Sequence, residues 1–124
     1  MIGPIRETCG KCDSCKKTHR HFCSETKLED HLLYGKLWGG FSTHVQLRDS
    51  HVYKMPKNLD YKTAGPLMCA GITTFAPLNK YAKKGDKVAI IGCGGLGHFA
   101  VQWAAKMGCE VHIFSSSHRK DELA

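Results

Sequence analysis

The chain lacks the long apolar runs that mark membrane and secreted proteins. Its 124 residues begin without the apolar core of a signal peptide, and no stretch approaches the ~20 apolar residues that a membrane span needs. Acidic residues are also scarce, at 11 against 18 Lys and Arg, which gives a formal net charge of +7. The basic residues form no stripe interleaved with aromatics. We therefore expect a solvated basic surface and neither a membrane nor a nucleic acid as partner.

The cysteine count points to metal chemistry. Seven cysteines is an odd number, and without a secretory signal a disulfide framework is not expected. A reducing compartment, and hence a cytoplasmic location, together with a metal site, suits this count better.

Four of the cysteines are grouped near the N-terminus. The spacing is C-x2-C-x2-C-x7-C, formed by Cys9, Cys12, Cys15 and Cys23. Four thiolates with no open position predict a structural Zn²⁺ site of closed, tetrahedral geometry. An iron–sulfur cluster is the alternative, but the bacterial ferredoxin run has its fourth cysteine after three residues and a proline behind it. Here the gap is seven residues and Ser24 follows.

The segment 87–114 has the pattern of a strand, a glycine turn, a helix and a second strand. Residues 88–91 form an apolar run typical of a strand buried on both faces. Residues 92–97 match G-x-G-x-x-G, and an apolar face at helical spacing follows, formed by Leu96, Phe99, Ala100, Trp103 and Met107. Gly108 ends this helix, and residues 111–114 form the second strand. In this context the glycine turn predicts a site for a dinucleotide pyrophosphate; a turn that only permits close packing is the alternative.

The middle of the chain carries weaker signals. Alternation predicts strands over 41–47 and 52–55, with His44 and His51 as strand side chains, not metal ligands. A short helix is expected over 61–64 and a longer one over 71–81, bent at Pro77. By composition alone, Cys69 would be a small buried apolar residue.

Taken together, these segments resemble the zinc-dependent medium-chain alcohol dehydrogenases, most closely the cinnamyl-alcohol-dehydrogenase type. The likeness rests on three stretches in the family's order: the cysteine group at 9–23, PLMCAGIT at 66–73 and GCGGLGH at 92–98. It extends over essentially the whole chain. The fold class that the resemblance implies is α/β: part of a GroES-like β-barrel domain with a four-cysteine zinc lobe (1–78), followed by the first βαβ unit of a Rossmann domain (79–124).

The resemblance also implies roles for individual residues. The cysteine group would hold the structural zinc, and Cys69 would be a ligand of the catalytic zinc. Thr73 would lie against the nicotinamide. The pyrophosphate turn would be formed by Gly92, Gly94, Gly95, Leu96 and Gly97.

The end of the second strand bears on the choice of cofactor. Proteins that bind NAD usually place Asp or Glu there, to accept a hydrogen bond from the ribose 2′-hydroxyl. This chain instead has hydroxyls followed by cations, in Ser115, Ser116, Ser117 and Lys120. Nothing there repels a 2′-phosphate, so NADP(H) is favoured over NAD.

The chain departs from the family in its catalytic metal site. The family's other two ligands, a cysteine and the histidine of a Gly-His-Glu motif, have no counterpart here, since no His-Glu pair occurs. One thiolate cannot hold a catalytic zinc, which needs about three protein ligands. We therefore expect an incomplete NADP-linked dehydrogenase of primary alcohols and aldehydes, inactive by itself, whose open edges are covered by further segments or a protein partner. The alternative is a non-catalytic structural or assembly subunit derived from such an enzyme.

Overall fold

The computed structural model describes residues 1–5, 7–26 and 42–116. The chain divides into two compact units, Met1–Asp60 and Tyr61–Ala124. This division follows contacts within each unit. The domain boundary that the family resemblance implies, between residues 78 and 79, stays a prediction.

Among the described residues of the first unit, residues 1–5, 7–26 and 42–60, the elements are short. Helix α1 spans Asp13–Lys16, and two 3-10 turns span Arg20–Phe22 and Asp49–His51. An antiparallel bridge joins Ile2 to Val52. Beside this bridge, the Tyr53 amide donates to the Met1 carbonyl at 2.7 Å. Elements this short are not stable alone, so the unit depends on contacts between segments that are distant in sequence.

The prediction of two strands in this unit is wrong. Residues 42–48 follow an irregular path, Phe41 lies outside the described residues, and Val52 forms a single bridge in place of a strand over 52–55. A strand needs a hydrogen-bonded partner, and within the described residues only Ile2 pairs with this region. Accordingly His44 is exposed in irregular chain, and His51 is buried in a 3-10 turn.

The second unit begins with three consecutive helical segments. Helix α2 spans Tyr61–Ala64, a 3-10 turn spans Gly65–Met68 and helix α3 spans Ala70–Tyr81. Both predicted helices are present, and Pro77 lies inside α3 as expected.

The βαβ unit follows as the sequence predicts. Strand β1 (Lys87–Ile91) pairs in parallel with β2 (Glu110–Phe114), and helix α4 (Gly95–Lys106) connects them. Gly108 has φ +81°, the left-handed conformation that commonly ends a helix, and its amide donates to the Ala105 carbonyl.

Burial in this unit differs from the sequence expectation in two respects. The most buried residues of α4 are Ala104 and Val101, whereas Leu96 from the predicted apolar face is 53% exposed. The strands are not buried on both faces, because Ile91 is 88% and Phe114 60% exposed. Within the described residues, α4 covers one face of the strand pair and nothing covers the other, so burial alternates along both strands.

No helix in the described part of the chain has the length and apolar character needed to cross a bilayer.

Candidate zinc lobe and nucleotide turn

The four N-terminal cysteines converge on one point. Their Sγ atoms all lie within 4.8 Å of one another, and they are the only group of potential metal ligands among the described residues. The Cys9 and Cys15 sulfurs are 3.9 Å apart, and those of Cys12 and Cys23 are 4.0 Å apart. Tetrahedral Zn²⁺ with Zn–S bonds of about 2.3 Å requires sulfurs about 3.8 Å apart. The arrangement therefore fits a closed zinc site.

Backbone amides orient two of these sulfurs. The amides of Lys11 and Cys12 donate to the Cys9 sulfur at 3.4 and 3.3 Å, and the Cys9 amide donates to the Cys23 sulfur at 3.4 Å. The amide that donates to Cys23 favours the thiolate of that residue, which is the form that binds metal. The spacing of cysteines in the sequence does not reveal these hydrogen bonds, because they arise from the turn that the backbone makes between ligands.

The thiols differ in their acidity. The hydrogen bond from the Cys9 amide, followed by that from the Thr26 hydroxyl, lowers the pKa of Cys23 to about 5. A backbone hydrogen bond from Cys15 lowers the pKa of Cys12. Burial raises the pKa of Cys15 to about 11. Cys15 is also the most buried of the four, at 7% exposure, so its thiolate would depend on a bound cation to offset its loss of solvation.

Cys69 has a different environment from the four grouped cysteines. It is exposed, which contradicts its composition-based interpretation as a buried residue, and it lies where the 3-10 turn meets α3. Its carbonyl accepts from the Thr73 amide at 3.0 Å, so Thr73 lies one helical turn along. No other potential ligand of the described residues joins Cys69 in a metal-binding group. None of the seven cysteines, all of which are described, forms a disulfide.

The glycine turn is held by close packing of its own backbone. A Cβ on Gly97 would lie 2.0 Å from the Gly92 carbonyl oxygen, so only glycine fits there. Gly92 itself has φ +87°, and its amide donates to the Phe114 carbonyl at 2.8 Å. A Cβ on Gly94 or Gly95 would meet nothing within 4 Å. Close packing thus explains Gly97, but it does not explain the two glycines on the open side of the turn.

The N-terminus of α4 is open at this turn. Gly94 precedes the helix, no side chain caps it within the described residues, and the first-turn amides of a helix have no partner inside the helix. Leu96 is exposed on the same turn. Free amides combined with the positive end of the helix dipole form a site that suits an anion.

Thr73 and the end of β2 also have defined positions. Thr73 is exposed and lines a groove of about 520 Å³ between α3 and β1, with Leu78, Val88 and Ile90 on its walls. Ser115 and Ser116 are exposed after β2, while Ser117 and Lys120 lie outside the described residues.

The chain is similar in sequence to known dehydrogenases and reductases. No protein-family model matches the chain. A probable formaldehyde dehydrogenase (AdhA) of Bacillus subtilis is 38% identical over 99% of the chain, and an aldehyde reductase (AdhA) of Synechocystis is 43% identical over 90%. The chain spans 37% and 32% of the lengths of these two relatives.

The solved structure of a cinnamyl alcohol dehydrogenase (CAD) from Helicobacter pylori, complexed with NADP(H), superimposes on 98% of the chain with a TM-score of 0.86 and 32% identity. It is matched over 37% of its own length. The chain is related to the zinc-dependent medium-chain alcohol dehydrogenases. The resemblance inferred from the motifs is thereby confirmed, as is the predicted fold class of a GroES-like part with a zinc lobe followed by a Rossmann βαβ unit. The expected cofactors, Zn²⁺ and NADP(H), agree with a cysteine group that fits zinc and with the nucleotide in this neighbour.

Proposed function

We propose that this chain is the zinc-lobe and pyrophosphate-binding part of an NADP-linked dehydrogenase that interconverts a primary alcohol and an aldehyde. The observation that carries the proposal is the turn at 92–97. There Gly97 packs on Gly92, while Gly94 and Gly95 leave the uncapped end of α4 open. A turn of this shape serves the close approach of a pyrophosphate to backbone amides.

Different residues of the chain would bind different parts of the cofactor. The amides at the start of α4 would hold the pyrophosphate, and the hydroxyls of Ser115 and Ser116 would face the 2′-phosphate. Thr73, exposed at the groove beside β1, would contact the nicotinamide. When bound, the nicotinamide supplies hydride transfer, and the protein supplies its position.

A catalytic zinc does not fit the described residues. Cys69 would be its ligand by resemblance, but no group of three or more potential ligands among the described residues includes it. Catalytic zinc uses about three protein ligands. We therefore derive no catalytic step through this metal, and we expect the chain by itself to bind nucleotide without turnover.

The four-cysteine group has a structural role in this proposal. Its residues would hold Zn²⁺ with no position left for substrate, and the metal would fix the fold of the first unit. A cytoplasmic, reducing compartment remains an expectation from the sequence.

Nucleotide binding tests the proposal. The purified, zinc-loaded chain should quench or enhance NADPH fluorescence saturably and bind NADH at least about tenfold more weakly, because the hydroxyls after β2 can donate hydrogen bonds to a 2′-phosphate, which NADH lacks. Ser116→Asp places a carboxylate there and should reverse the preference, whereas Ser24→Asp, with an exposed serine in the zinc lobe, should not. Steady-state assays with primary alcohols and aldehydes should show no turnover.

Two results would contradict it. A folded chain that holds zinc but binds neither nucleotide favours the alternative of a non-catalytic structural subunit. Turnover by the chain alone would show that the catalytic metal site is complete and that the expected inactivity is wrong.

A further inference from the structure

The zinc lobe is attached to a distant segment at three places. The segment is 48–51, which contains a 3-10 turn. The Glu7 carboxylate pairs with the Arg48 guanidinium at 2.8 Å. Thr8 Oγ1 and His51 Nε2 are hydrogen-bonded at 3.3 Å, and Arg20 donates from Nη1 to the Ser50 carbonyl at 2.8 Å.

The hydrogen bond between Thr8 and His51 is the buried one of the three. Each of these residues is only 3% exposed. The other ring nitrogen of His51, Nδ1, is hydrogen-bonded to the Ser50 hydroxyl at 3.0 Å. A buried histidine whose two ring nitrogens are both hydrogen-bonded has a fixed ring orientation, and this fixes the position of the Thr8 hydroxyl bonded to it. By contrast, the Glu7–Arg48 pair is partly exposed and contributes little by itself.

These attachments lie next to the first and last metal ligands. Thr8 directly precedes Cys9, whose amide donates to the Cys23 sulfur. Arg20 begins the 3-10 turn that directly precedes Cys23, and its carbonyl accepts from the Cys23 amide at 3.1 Å. Cys12 directly precedes α1 and Cys15 lies in it, so both lie between Cys9 and Cys23 in the sequence. Fixing the positions of Cys9 and Cys23 therefore closes the lobe around the site.

From this arrangement we infer that the segment 48–51 is a positioning element for the four-cysteine site, with His51 and the Ser50 carbonyl setting the separation of Cys9 and Cys23. The inference rests on zinc occupying that site, as in the proposed function. It predicts that metal retention depends on residues that are not ligands, through contacts between residues 30 and 43 positions apart in the sequence.

Zinc release to a chromogenic chelator from the full chain tests the inference. His51→Ala and Arg20→Ala should each release zinc about tenfold faster than wild type, because each leaves a formerly bonded group without its partner. His51→Gln retains a hydrogen-bonding group and should restore part of the retention. Two controls match these changes: His44→Ala removes an exposed histidine outside the lobe, and Lys17→Ala removes an exposed cation within it. Both should release zinc at the wild-type rate.

The Co²⁺-substituted chain supplies a readout that general destabilisation would not change. The d–d absorption of bound Co²⁺ reports the tetrahedral geometry of its thiolates. It should shift in His51→Ala and Arg20→Ala and stay unchanged in the two controls. If His51→Ala does not fold, Thr8→Val, which removes only the hydroxyl, takes its place.

The outcomes separate this inference from the proposed function. Wild-type release rates and spectra in Arg20→Ala and in His51→Ala or Thr8→Val would overturn it, even if the wild-type chain holds one zinc and binds NADPH. A wild-type chain that holds no zinc would overturn it together with the structural-zinc part of the proposed function. Equal acceleration in Lys17→Ala and Arg20→Ala would also overturn it, since charge alone would then explain the effect.

Discussion

The two units of this protein are stabilised by different interactions. In the first unit, the buried residues include Cys15, one of the four grouped cysteines, and two polar residues, Thr8 and His51. In the second, Val101 and Ala104 of α4 are buried, and β1 and β2 form a regular parallel pair. The described part of one unit therefore contains a cysteine group that fits a metal and buried polar contacts, and the other contains a backbone ladder and apolar packing.

This difference shows what each unit needs to fold. The described helical elements of the first unit have four residues or fewer, and elements this short bury little apolar surface to offset their loss of conformational entropy. A metal with four protein ligands supplies that free energy in one place. The βαβ unit gains from many weak contacts, none of which is decisive alone.

Removal of zinc should produce the largest difference in stability between the two units. Structural Zn²⁺ in small sites contributes about 10–16 kcal/mol of binding free energy at neutral pH, and its loss should unfold the lobe at 9–23. Hydrogen exchange after chelation should show lost protection in α1 and retained protection in β1 and α4. Equal loss in both units would show that the second unit also depends on the metal.

Substitution of single cysteines sharpens the same comparison. Cys23→Ser should lower the zinc content from about one per chain to well below one half, because it removes one of four ligands. Cys69→Ser, the matched change at an exposed cysteine outside the group, should leave the zinc content unchanged. Metal analysis of the purified variants measures both. A fall in the Cys69→Ser variant would indicate a second metal site.

In the second unit, the glycine turn should be the most sensitive position. Gly97→Ala places a Cβ against the Gly92 carbonyl oxygen, which must move, at a cost of about 2–4 kcal/mol in the free energy of unfolding. Gly95→Ala meets nothing within 4 Å, so its stability should match or slightly exceed wild type while NADPH binding weakens. Urea unfolding and NADPH titration of the two variants separate packing from binding. Full NADPH affinity in Gly95→Ala would argue against close pyrophosphate approach at that residue.

The smallest expected effect concerns two phenylalanines. Phe75 contacts Trp103 edge to face at 5.6 Å between ring centroids, which joins α3 to α4. Phe75→Ala should lower the free energy of unfolding by about 1–2 kcal/mol. This is less than the loss for a fully buried phenylalanine, because the Phe75 side chain is partly exposed. Phe22→Ala, in the zinc lobe, should cost less than about 0.5 kcal/mol, since Phe22 is 68% exposed. Thermal unfolding of both variants measures the difference. Similar losses would mean that Phe22 supports the lobe.

The accuracy of the sequence predictions follows the same division between units. The predictions were correct where the signal is local: the cysteine spacing gave the metal group, and the pattern around the glycine turn gave β1, α4 and β2. They were wrong for the strands at 41–47 and 52–55, where alternation is present but the partner strands are absent from the described residues. The burial of Cys69 was also wrongly inferred from composition, because exposure depends on neighbours distant in sequence.

By itself, the sequence determined the number and spacing of the sulfur ligands, the glycine turn and the order of the elements in the βαβ unit. Each of these depends on residues that lie close together in the sequence. Only the tertiary structure decided which face of the strands is covered, that Gly97 packs on Gly92, and that Thr8 and Arg20 meet the segment 48–51. Contacts across 30 to 43 residues have no periodic signal in the sequence, because they depend on how the chain closes and not on local conformational preference.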